Sequence, residues 1–235
     1  MDGDNIIIFN PNNFDINRVA VRQVTNDSIP IRSIKIDNRT PAILTDPIRI
    51  TSYGIPKPNS TINIPVEHIL IGLDPQQLST CHLKTHLNEV DNYFSSDQFK
   101  IELFGDKYKK YKYYQLVRDC RERTNNMYKN EFPFCKIKFS KKINTKIIEN
   151  SEKIKINTIE DILKYIKFGS TYQFTFIYSK LWIGNREYGI SLIMKEILSI
   201  NSIQLPMYDI ETIKMTYKKY MDERRSNKKI KLIEI

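Results

Sequence analysis

Two long strand-like runs dominate the last third of this sequence and constrain its fold more than any other feature. They extend from Thr171 to Ile183 and from Glu187 to Ile200. Gly184-Asn185 lies between them, and glycine beside asparagine is typical of a tight reversal between paired strands. The sequence therefore predicts a long β-hairpin in this region.

Shorter runs that alternate apolar and polar residues predict further strands along the chain. Gly105-Asp106 predicts a turn, and the polar stretch from Arg118 to Phe132 predicts an exposed loop. One of the runs contains Pro65, which cannot donate to a ladder and indicates an edge strand. The predicted strands are Val19 to Val24, Ile31 to Ile36, Ile48 to Tyr53, Thr61 to Val66, Ile101 to Phe104, Tyr113 to Val117 and Phe134 to Phe139.

Three helices are predicted between and after these strands. The first opens at Asp74-Pro75, a plausible N-cap and first-turn pair, and ends near Ser95. A short helix from Thr158 to Ile166 has the form of a capping box, with Asp161 in the place of the usual Glu. A basic helix follows over 209–224. The apolar stripe of the first helix is Leu83, Leu87, Val90 and Phe94.

The order of the elements is strands, helix, strands, helix, strands, helix. We find neither an internal repeat nor a linker that would separate two domains, so one domain is expected over residues 1–235. This order favours an α+β fold with an antiparallel β-barrel core, a few flanking helices and a C-terminal helix.

The charge of the chain indicates a polyanionic partner. The sequence has 37 Lys and Arg against 27 Asp and Glu, a net charge of +10, and the excess is concentrated in residues 100–155. The chain has only 7 glycines, which argues against glycine-loop nucleotide-binding proteins. Its 3 cysteines imply no disulfide framework and favour a reducing compartment. No signal peptide and no run of about 20 apolar residues is seen, so we expect an intracellular protein that does not enter a membrane.

The basic middle segment alternates cations with tyrosines. Cations neutralise phosphates, and aromatic rings stack on bases that only a single strand exposes. Lys136 and Lys138 repeat the mixture on a strand whose other face carries Cys135, Ile137 and Phe139, which suit a core. The alternative is that some tyrosines are core residues and the lysines keep them soluble. The candidate contacts are Lys107, Tyr108, Lys109, Lys110, Tyr111, Lys112, Tyr113, Tyr114, Arg118, Lys136 and Lys138.

Several short motifs resemble single-stranded DNA-binding proteins of nucleocytoplasmic large DNA viruses. They span roughly residues 41 to 195. The sequence departs from the pattern at Asp46, where a neutral polar residue is expected, and at Leu116, where a proline-containing turn is expected. The motifs are Pro41-Ala42-Ile43-Leu44-Thr45-Asp46-Pro47 running into Tyr53-Gly54, the segment from Leu87 through Val90-Asp91-Asn92-Tyr93 to Val117-Arg118, and Lys180-Leu181-Trp182 with Tyr188-Gly189-Ile190.

The resemblance implies an OB-type β-barrel that coats single strands during viral replication, recombination or repair. It adds Lys180 and Trp182 to the candidate contacts and supports Lys107, Lys110, Tyr111, Tyr113 and Arg118. Trp182, the only tryptophan, either stacks on a base or closes the mouth of the barrel. The expected groove is formed by residues around 104–118, the 134–139 strand and the 180–188 hairpin.

Enzymatic sites are not indicated. His82 and His86 are four residues apart on the first predicted helix, with Cys81, Glu89 and Asp91 nearby, but Leu83 stands where a zinc-protease helix needs Glu. A solvent-exposed helix face explains the same pattern. We find neither a P-loop nor a nucleophile motif, and we expect no catalysis, no cofactor and no metal.

The sequence thus predicts a sequence-tolerant single-stranded DNA-binding protein. The expected partners are single-stranded DNA or RNA, other protomers along the strand and viral replication proteins. Its expected location is the host cytoplasm at viral replication sites, the host nucleus or the virion. Two alternatives remain open: a viral structural or scaffold protein whose basic segment binds an acidic protein, and an RNA-binding regulator.

Overall fold

A computed structural model describes residues 6–23, 32–54, 67–119, 132–140 and 145–200, all within one unit that ends at Asn201. Its strands are β1 (Ile6–Phe9), β2 (Ala20–Gln23), β3 (Arg32–Lys35), β4 (Thr40–Leu44), β5 (Ile48–Arg49), β6 (Tyr53–Gly54), β7 (His68–Gly72), β8 (Lys112–Tyr114), β9 (Val117–Arg118), β10 (Phe134–Lys138), β11 (Lys146–Glu149), β12 (Glu152–Ile154), β13 (Thr171–Ile183) and β14 (Glu187–Ile200). The α-helices are α1 (Leu78–Ser95), α2 (Asp97–Phe104) and α3 (Ile159–Tyr165), and the 3-10 helices are η1 (Pro11–Asn13), η2 (Ile16–Arg18) and η3 (Gly105–Lys110).

The predicted hairpin is confirmed as β13 and β14, which pair in antiparallel fashion along their length. The register shifts between Thr175 and Phe176 and again between Tyr178 and Lys180. Such irregularities increase the local twist and let long strands bend. The two strands form the centre on which the rest of the sheet is assembled.

The strands of the described residues form one sheet, with the order β1-β4-β13-β14-β10-β7-β6 and further strands attached to this path. The α+β class is confirmed, but the expectation of a purely antiparallel sheet is wrong. β1 pairs with β4, and β8, β10 and β11 pair with β14, all in parallel. Long connections separate these partners in sequence, and such connections allow two strands to run in the same direction.

Helix α1 packs its apolar stripe into the core, as predicted. Leu83 and Leu87 have no exposed surface, and Val90 and Phe94 are each 1% exposed. The helix begins later than expected because Asp74 starts a turn, in which its carboxylate accepts the Gln76 N–H at 2.9 Å.

The segment predicted as a strand from Ile101 to Phe104 is helical and belongs to α2. The Ser96 hydroxyl accepts the Phe99 N–H at 3.2 Å and caps this helix, with Asp97 in its first turn. The serine cap favours a helix here, in spite of the short apolar alternation that predicted a strand. The predicted turn at Gly105-Asp106 is instead the start of η3.

The remaining predictions have mixed outcomes. The short helix α3 has the predicted capping box between Thr158 and Asp161. The strand predicted over 48–53 is divided into β5 and β6, and the one over 113–117 into β8 and β9. The strand predicted over 61–66, most of the loop over 118–132 and the helix over 209–224 lie outside the described residues. Within the described ranges, no helix is long and apolar enough to cross a membrane.

Candidate nucleic-acid interface

Strand β8 presents two consecutive tyrosines to opposite sides of the sheet. Tyr113 is 7% exposed and lies in the core, whereas Lys112 and Tyr114 are exposed, Tyr114 at 40%. Successive side chains of a strand point to opposite faces, so within β8 the side chains of Lys112 and Tyr114 reach the solvent and that of Tyr113 does not. We call the side that carries Lys112 and Tyr114 the outer face, and the side that α1 covers the helix face.

The carboxylate of Asp91, on α1, holds the chain between β8 and β9. It accepts the Tyr113 hydroxyl at 3.0 Å and the backbone N–H groups of Leu116 and Val117 at 2.9 and 3.0 Å. Burial raises the pKa of this carboxyl, and the two backbone hydrogen bonds oppose that effect. Asp91 therefore fixes the connection that places Tyr114 before it and Arg118 after it.

A cleft of about 230 Å³ opens where β8, β9, β10 and the hairpin meet, and we call it the outer cleft. It gathers five predicted contacts from three separate parts of the sequence. Its lining residues are Tyr114, Gln115, Leu116, Arg118, Lys136, Lys138, Trp182, Ile190, Ser191 and Leu192.

The aromatic side chains of the outer cleft and Arg118 form a row. The Arg118 guanidinium lies 4.5 Å from the centroid of the Tyr114 ring, a cation–π contact. The Tyr114 and Trp182 ring centroids are 6.1 Å apart, with the ring planes at 58°. The buried Nε of Arg118 has no hydrogen-bond partner among the described residues. The row thus runs from a cation through a phenol to an indole.

Gly189 lies next to both aromatic residues of this row. It pairs with both Trp182 and Tyr114 in the sheet. A Cβ atom placed on Gly189 would lie 2.8 Å from Cζ2 of Trp182 and 3.2 Å from Cβ of Tyr114. The half-buried indole therefore rests on the glycine backbone, and any side chain at this position would have to displace it.

The lysines of β10 reach the outer cleft as the alternation predicted. Cys135 and Ile137 have no exposed surface, and Lys136 and Lys138 line the cleft. Burial raises the pKa of the Cys135 thiol to about 12. Phe134, which the alternation assigned to the same side as the two lysines, is buried at 3%.

Lys180 lies beside the outer cleft rather than in its lining. It is half-buried on β13 and pairs with Ser191 of β14, whose side chain lines the cleft. Lys180 and Trp182 are two residues apart on the same strand and share its outer face.

The cations of η3 form a separate group. Lys107, Lys109 and Lys110 are exposed, and the ammonium groups of Lys100 and Lys109 lie 6.0 and 5.8 Å from the ring centroid of Tyr108. No residue of η3 lines the outer cleft.

Two of the predicted tyrosines belong to the packing of the helix face. Tyr111 stacks on Phe104 with centroids 3.8 Å apart and planes at 4°, and Phe104 in turn contacts Tyr188 at 5.1 Å. Tyr113 is buried and bonded to Asp91.

The expectation of one groove lined by all residues around 104–118 is therefore corrected. Residues 97–110 are helical, including 101–104, which were predicted as a strand, and none of them lines the outer cleft. The alternation along β8 turns Tyr113 inward. Tyr113 is a core residue with no ring face free for a base. One face of Tyr111 is already covered by Phe104.

The histidine pair of α1 does not converge on a common point. Nδ1 of His82 lies 2.8 Å from the Asp46 carboxylate, and Nε2 of His86 lies 2.6 Å from the Tyr178 hydroxyl in the core. Burial lowers the pKa of His86 to about 4. Among the described residues, no group of three or more His, Cys, Asp and Glu side chains could hold a metal ion.

Sequence reasoning did not select Asp91, Gln115, Gly189 and Ser191 for the interface. Gly189 carried a signal, because a glycine inside a long strand often marks a close approach of another group. Counting from Gly184-Asn185 alone would have placed Glu187 opposite Trp182, because the observed loop covers four residues and pairs Ile183 with Tyr188. Asp91 carried none, since its partners are backbone groups about 25 residues away in sequence.

Comparison with known proteins yields one informative match. No family model matches the chain. An uncharacterized protein of Acanthamoeba polyphaga mimivirus is 25% identical over an alignment 221 positions long, and the alignment covers 75% of this chain and 55% of that protein. The chain thus spans about half the length of this relative. The match supports a giant-virus origin for the chain.

Proposed function

We propose that this protein is a sequence-tolerant single-stranded DNA-binding protein, not an enzyme, and that the strand binds at the outer cleft. The observation that carries the proposal is the meeting of Tyr114 and Trp182 with Arg118, Lys136 and Lys138 around one cleft. Aromatic rings beside cations match the two chemical features of a single strand, its base faces and its phosphates.

The proposed mechanism combines the stacking of bases on aromatic rings with the neutralisation of phosphates by cations. A base stacks on an aromatic ring with a free energy of about 1–3 kcal/mol, with little dependence on the base. The cations neutralise phosphates and release condensed counterions, so the affinity falls as salt rises. A duplex keeps its base faces stacked and can use only the second contribution. Single strands are therefore preferred.

We further propose that the sheet curls into an OB-type barrel, as the resemblance implies. The two register shifts in the hairpin support strong curvature. Both hairpin strands also exchange partners along their length. β13 pairs with β3, β4 and β5, and β14 with β8, β10 and β11. Strands that change partners in this way are typical of a bent sheet that wraps around a core.

In this proposal the protein coats unpaired strands during viral DNA replication, recombination or repair. Its place of action is a viral replication site in the infected cell. The similarity to a mimivirus protein supports the viral setting. Other viral replication proteins, and further copies of the chain along one strand, are the proposed partners.

Fluorescence anisotropy of a labelled oligo(dT) tests the proposal. Unlabelled oligo(dT) should displace the probe far better than a duplex of the same length. Oligo(U) serves as the competitor for an RNA-binding regulator, and polyglutamate as the competitor for a protein that binds acidic partners. Equal competition by duplex, or better competition by polyglutamate, contradicts the proposal.

A further inference from the structure

We infer that the outer cleft is a one-nucleotide site, in which Trp182 stacks on the base and Arg118 binds the phosphate next to it. This inference rests on the proposed function and deepens it. It makes the smallest ligand of the protein a single nucleotide, and it gives Tyr114 and Gly189 positioning roles instead of direct stacking on DNA.

The size of the cleft sets the limit of one nucleotide. Its volume of about 230 Å³ lies below the range of about 300–1,000 Å³ that is usual for small-molecule sites. Among the described residues, two rings form the aromatic lining, and their centroids are 6.1 Å apart. Such a space accommodates one base and its phosphate, whereas a row of stacked bases would need successive rings with gaps between them.

Of the two rings, the Trp182 indole is the one on which the base stacks. Its indole rests on Gly189 and lines the cleft. Tyr114, in contrast, already carries the Arg118 guanidinium at 4.5 Å over its ring and touches the indole at its side. The phenol therefore holds both neighbours in place, and the base stacks on the indole.

Arg118 is prepared for an anion. Its guanidinium is held over Tyr114, and its buried Nε makes no hydrogen bond among the described residues. Arg118 lies close enough to Asp91 for its charge to oppose the rise in the pKa of that carboxyl. The hydrogen bonds of the Asp91 carboxylate, however, come from the Tyr113 hydroxyl and the backbone N–H groups of Leu116 and Val117. Asp91 therefore accepts none from the Arg118 guanidinium, whose planar donors suit a phosphate. Lys138 is exposed at the same cleft and adds a second cation.

The rim of the cleft fits a site that tolerates different bases. Ser191 and Gln115 are among its lining residues, and a hydroxyl and an amide can each donate as well as accept a hydrogen bond. Such side chains can form a hydrogen bond with a base edge whether it presents a donor or an acceptor. Pyrimidine and purine nucleotides should therefore bind with affinities within about tenfold of each other.

Titration of the intrinsic fluorescence tests the inference, because Trp182 is the only tryptophan in the chain. The ligands are thymidine monophosphate and 5′-phosphorylated oligo(dT) of increasing length, each added to the chain of residues 1–235. Thymidine monophosphate should quench the fluorescence and should displace labelled oligo(dT) in a parallel anisotropy assay. Thymidine without its phosphate should bind at least about tenfold more weakly, since charge-assisted contacts to Arg118 are lost.

Variants at two positions make the test specific to the residues. Gly189→Ala should displace the indole and should abolish most of the quenching by thymidine monophosphate. Trp182→Ala, compared with Trp182→Phe, should weaken binding of labelled oligo(dT) by at least about fivefold, the low end of the effect of one base–aromatic stack. Circular dichroism of each variant shows whether the fold is kept, and Trp182→Ala remains informative if Gly189→Ala does not fold.

The outcomes separate this inference from the proposed function. If oligo(dT) binds tightly while thymidine monophosphate neither quenches nor competes, the one-nucleotide site is overturned and the proposed function stands. The same holds if Trp182→Ala is folded and binds oligo(dT) with unchanged affinity. If neither oligo(dT) nor thymidine monophosphate binds, both are overturned.

Discussion

The hydroxyl of Tyr113 donates a hydrogen bond to the carboxylate of Asp91 at 3.0 Å, and this contact joins the basic segment to helix α1. Its neighbour Tyr114 points to the opposite side of the sheet, where Arg118 covers its ring. Two adjacent tyrosines of one basic segment thus have different surroundings, one in the core and one at the outer cleft. Substitutions at the two positions should therefore have different effects.

Tyr113→Phe should destabilise the protein without weakening its binding to DNA. The change removes a buried hydrogen bond to a carboxylate, which typically contributes about 1.5–3 kcal/mol. Urea denaturation followed by circular dichroism should show a loss of about 2 kcal/mol in the free energy of unfolding. Tyr114→Phe is the matched control and should leave stability unchanged. A folded Tyr113→Phe variant with a large loss of oligo(dT) affinity would contradict this account.

Tyr114→Ala should weaken DNA binding and leave the fold intact. The ring is 40% exposed, so its removal costs little packing, but Arg118 and Trp182 lose the group between them. Anisotropy should show at least about a fivefold loss of oligo(dT) affinity, because the indole on which the base stacks is no longer held in place. Tyr108→Ala, on η3, is the control and should bind like the unmodified protein. Equal losses in both variants would contradict binding at the outer cleft alone, because Tyr108 lies on η3 and does not line that cleft.

Lys138→Ala should reduce the salt dependence of binding. Each phosphate contact on a single strand contributes about 0.7 to the slope of log affinity against log salt. The slope of the Lys138→Ala variant should therefore be shallower by about 0.7. Lys109→Ala removes an equally exposed lysine that does not line the outer cleft, and its slope should be unchanged. If the two variants shift the slope by the same amount, the strand also contacts η3.

Acid should destabilise the protein through His86. The pKa of this buried imidazole is lowered to about 4 from its ordinary 6.5, so the unfolded chain binds a proton more readily than the folded protein between these values. Stability is therefore complete above the unfolded pKa and is lost as pH falls from about 6.5 toward 4. Between pH 7 and pH 5 the loss from this group is about 2 kcal/mol.

His86→Gln isolates that contribution, because an amide can still bond to the Tyr178 hydroxyl but does not titrate. Its free energy of unfolding should fall less than that of the unmodified protein between the two pH values. If urea denaturation shows the same fall in both proteins, another group is responsible for the acid sensitivity.

The parts of the fold that were predicted correctly are those with strong local signals. The hairpin had two long runs and a clear turn, and α3 had a complete capping box. The error at residues 101–104 also had a local cause, because a run of four residues is too short to separate helix from strand. Its Ser96 cap was the better signal. The parallel pairs of β14 could not be predicted, because pairing between distant segments depends on the whole topology.

The sequence indicated the residue types of the candidate site, but it did not show which side of the sheet each side chain occupies. The segment of interleaved lysines and tyrosines contains Tyr114 and Arg118, which line the outer cleft, and the alternation of β10 correctly placed Lys136 and Lys138 opposite the buried Cys135 and Ile137. The predicted strand over 113–117 implied that Tyr113 and Tyr114 lie on opposite sides, but the sequence could not show which of the two faces the core, because the buried partner was not known. That partner is Asp91 on a helix far away in sequence.

Ultraviolet crosslinking of the protein to oligo(dT), followed by tryptic peptide mapping, tests the central claim most directly. Trypsin separates the relevant rings: Trp182 falls in the peptide from Leu181 to Arg186, Tyr114 in the peptide from Tyr113 to Arg118, and Tyr108 in a dipeptide with Lys109. The account predicts crosslinks at Trp182 and Tyr114 that excess unlabelled oligo(dT) suppresses and duplex does not. Crosslinks confined to peptides outside the outer cleft, with none at Trp182 or Tyr114, would contradict it.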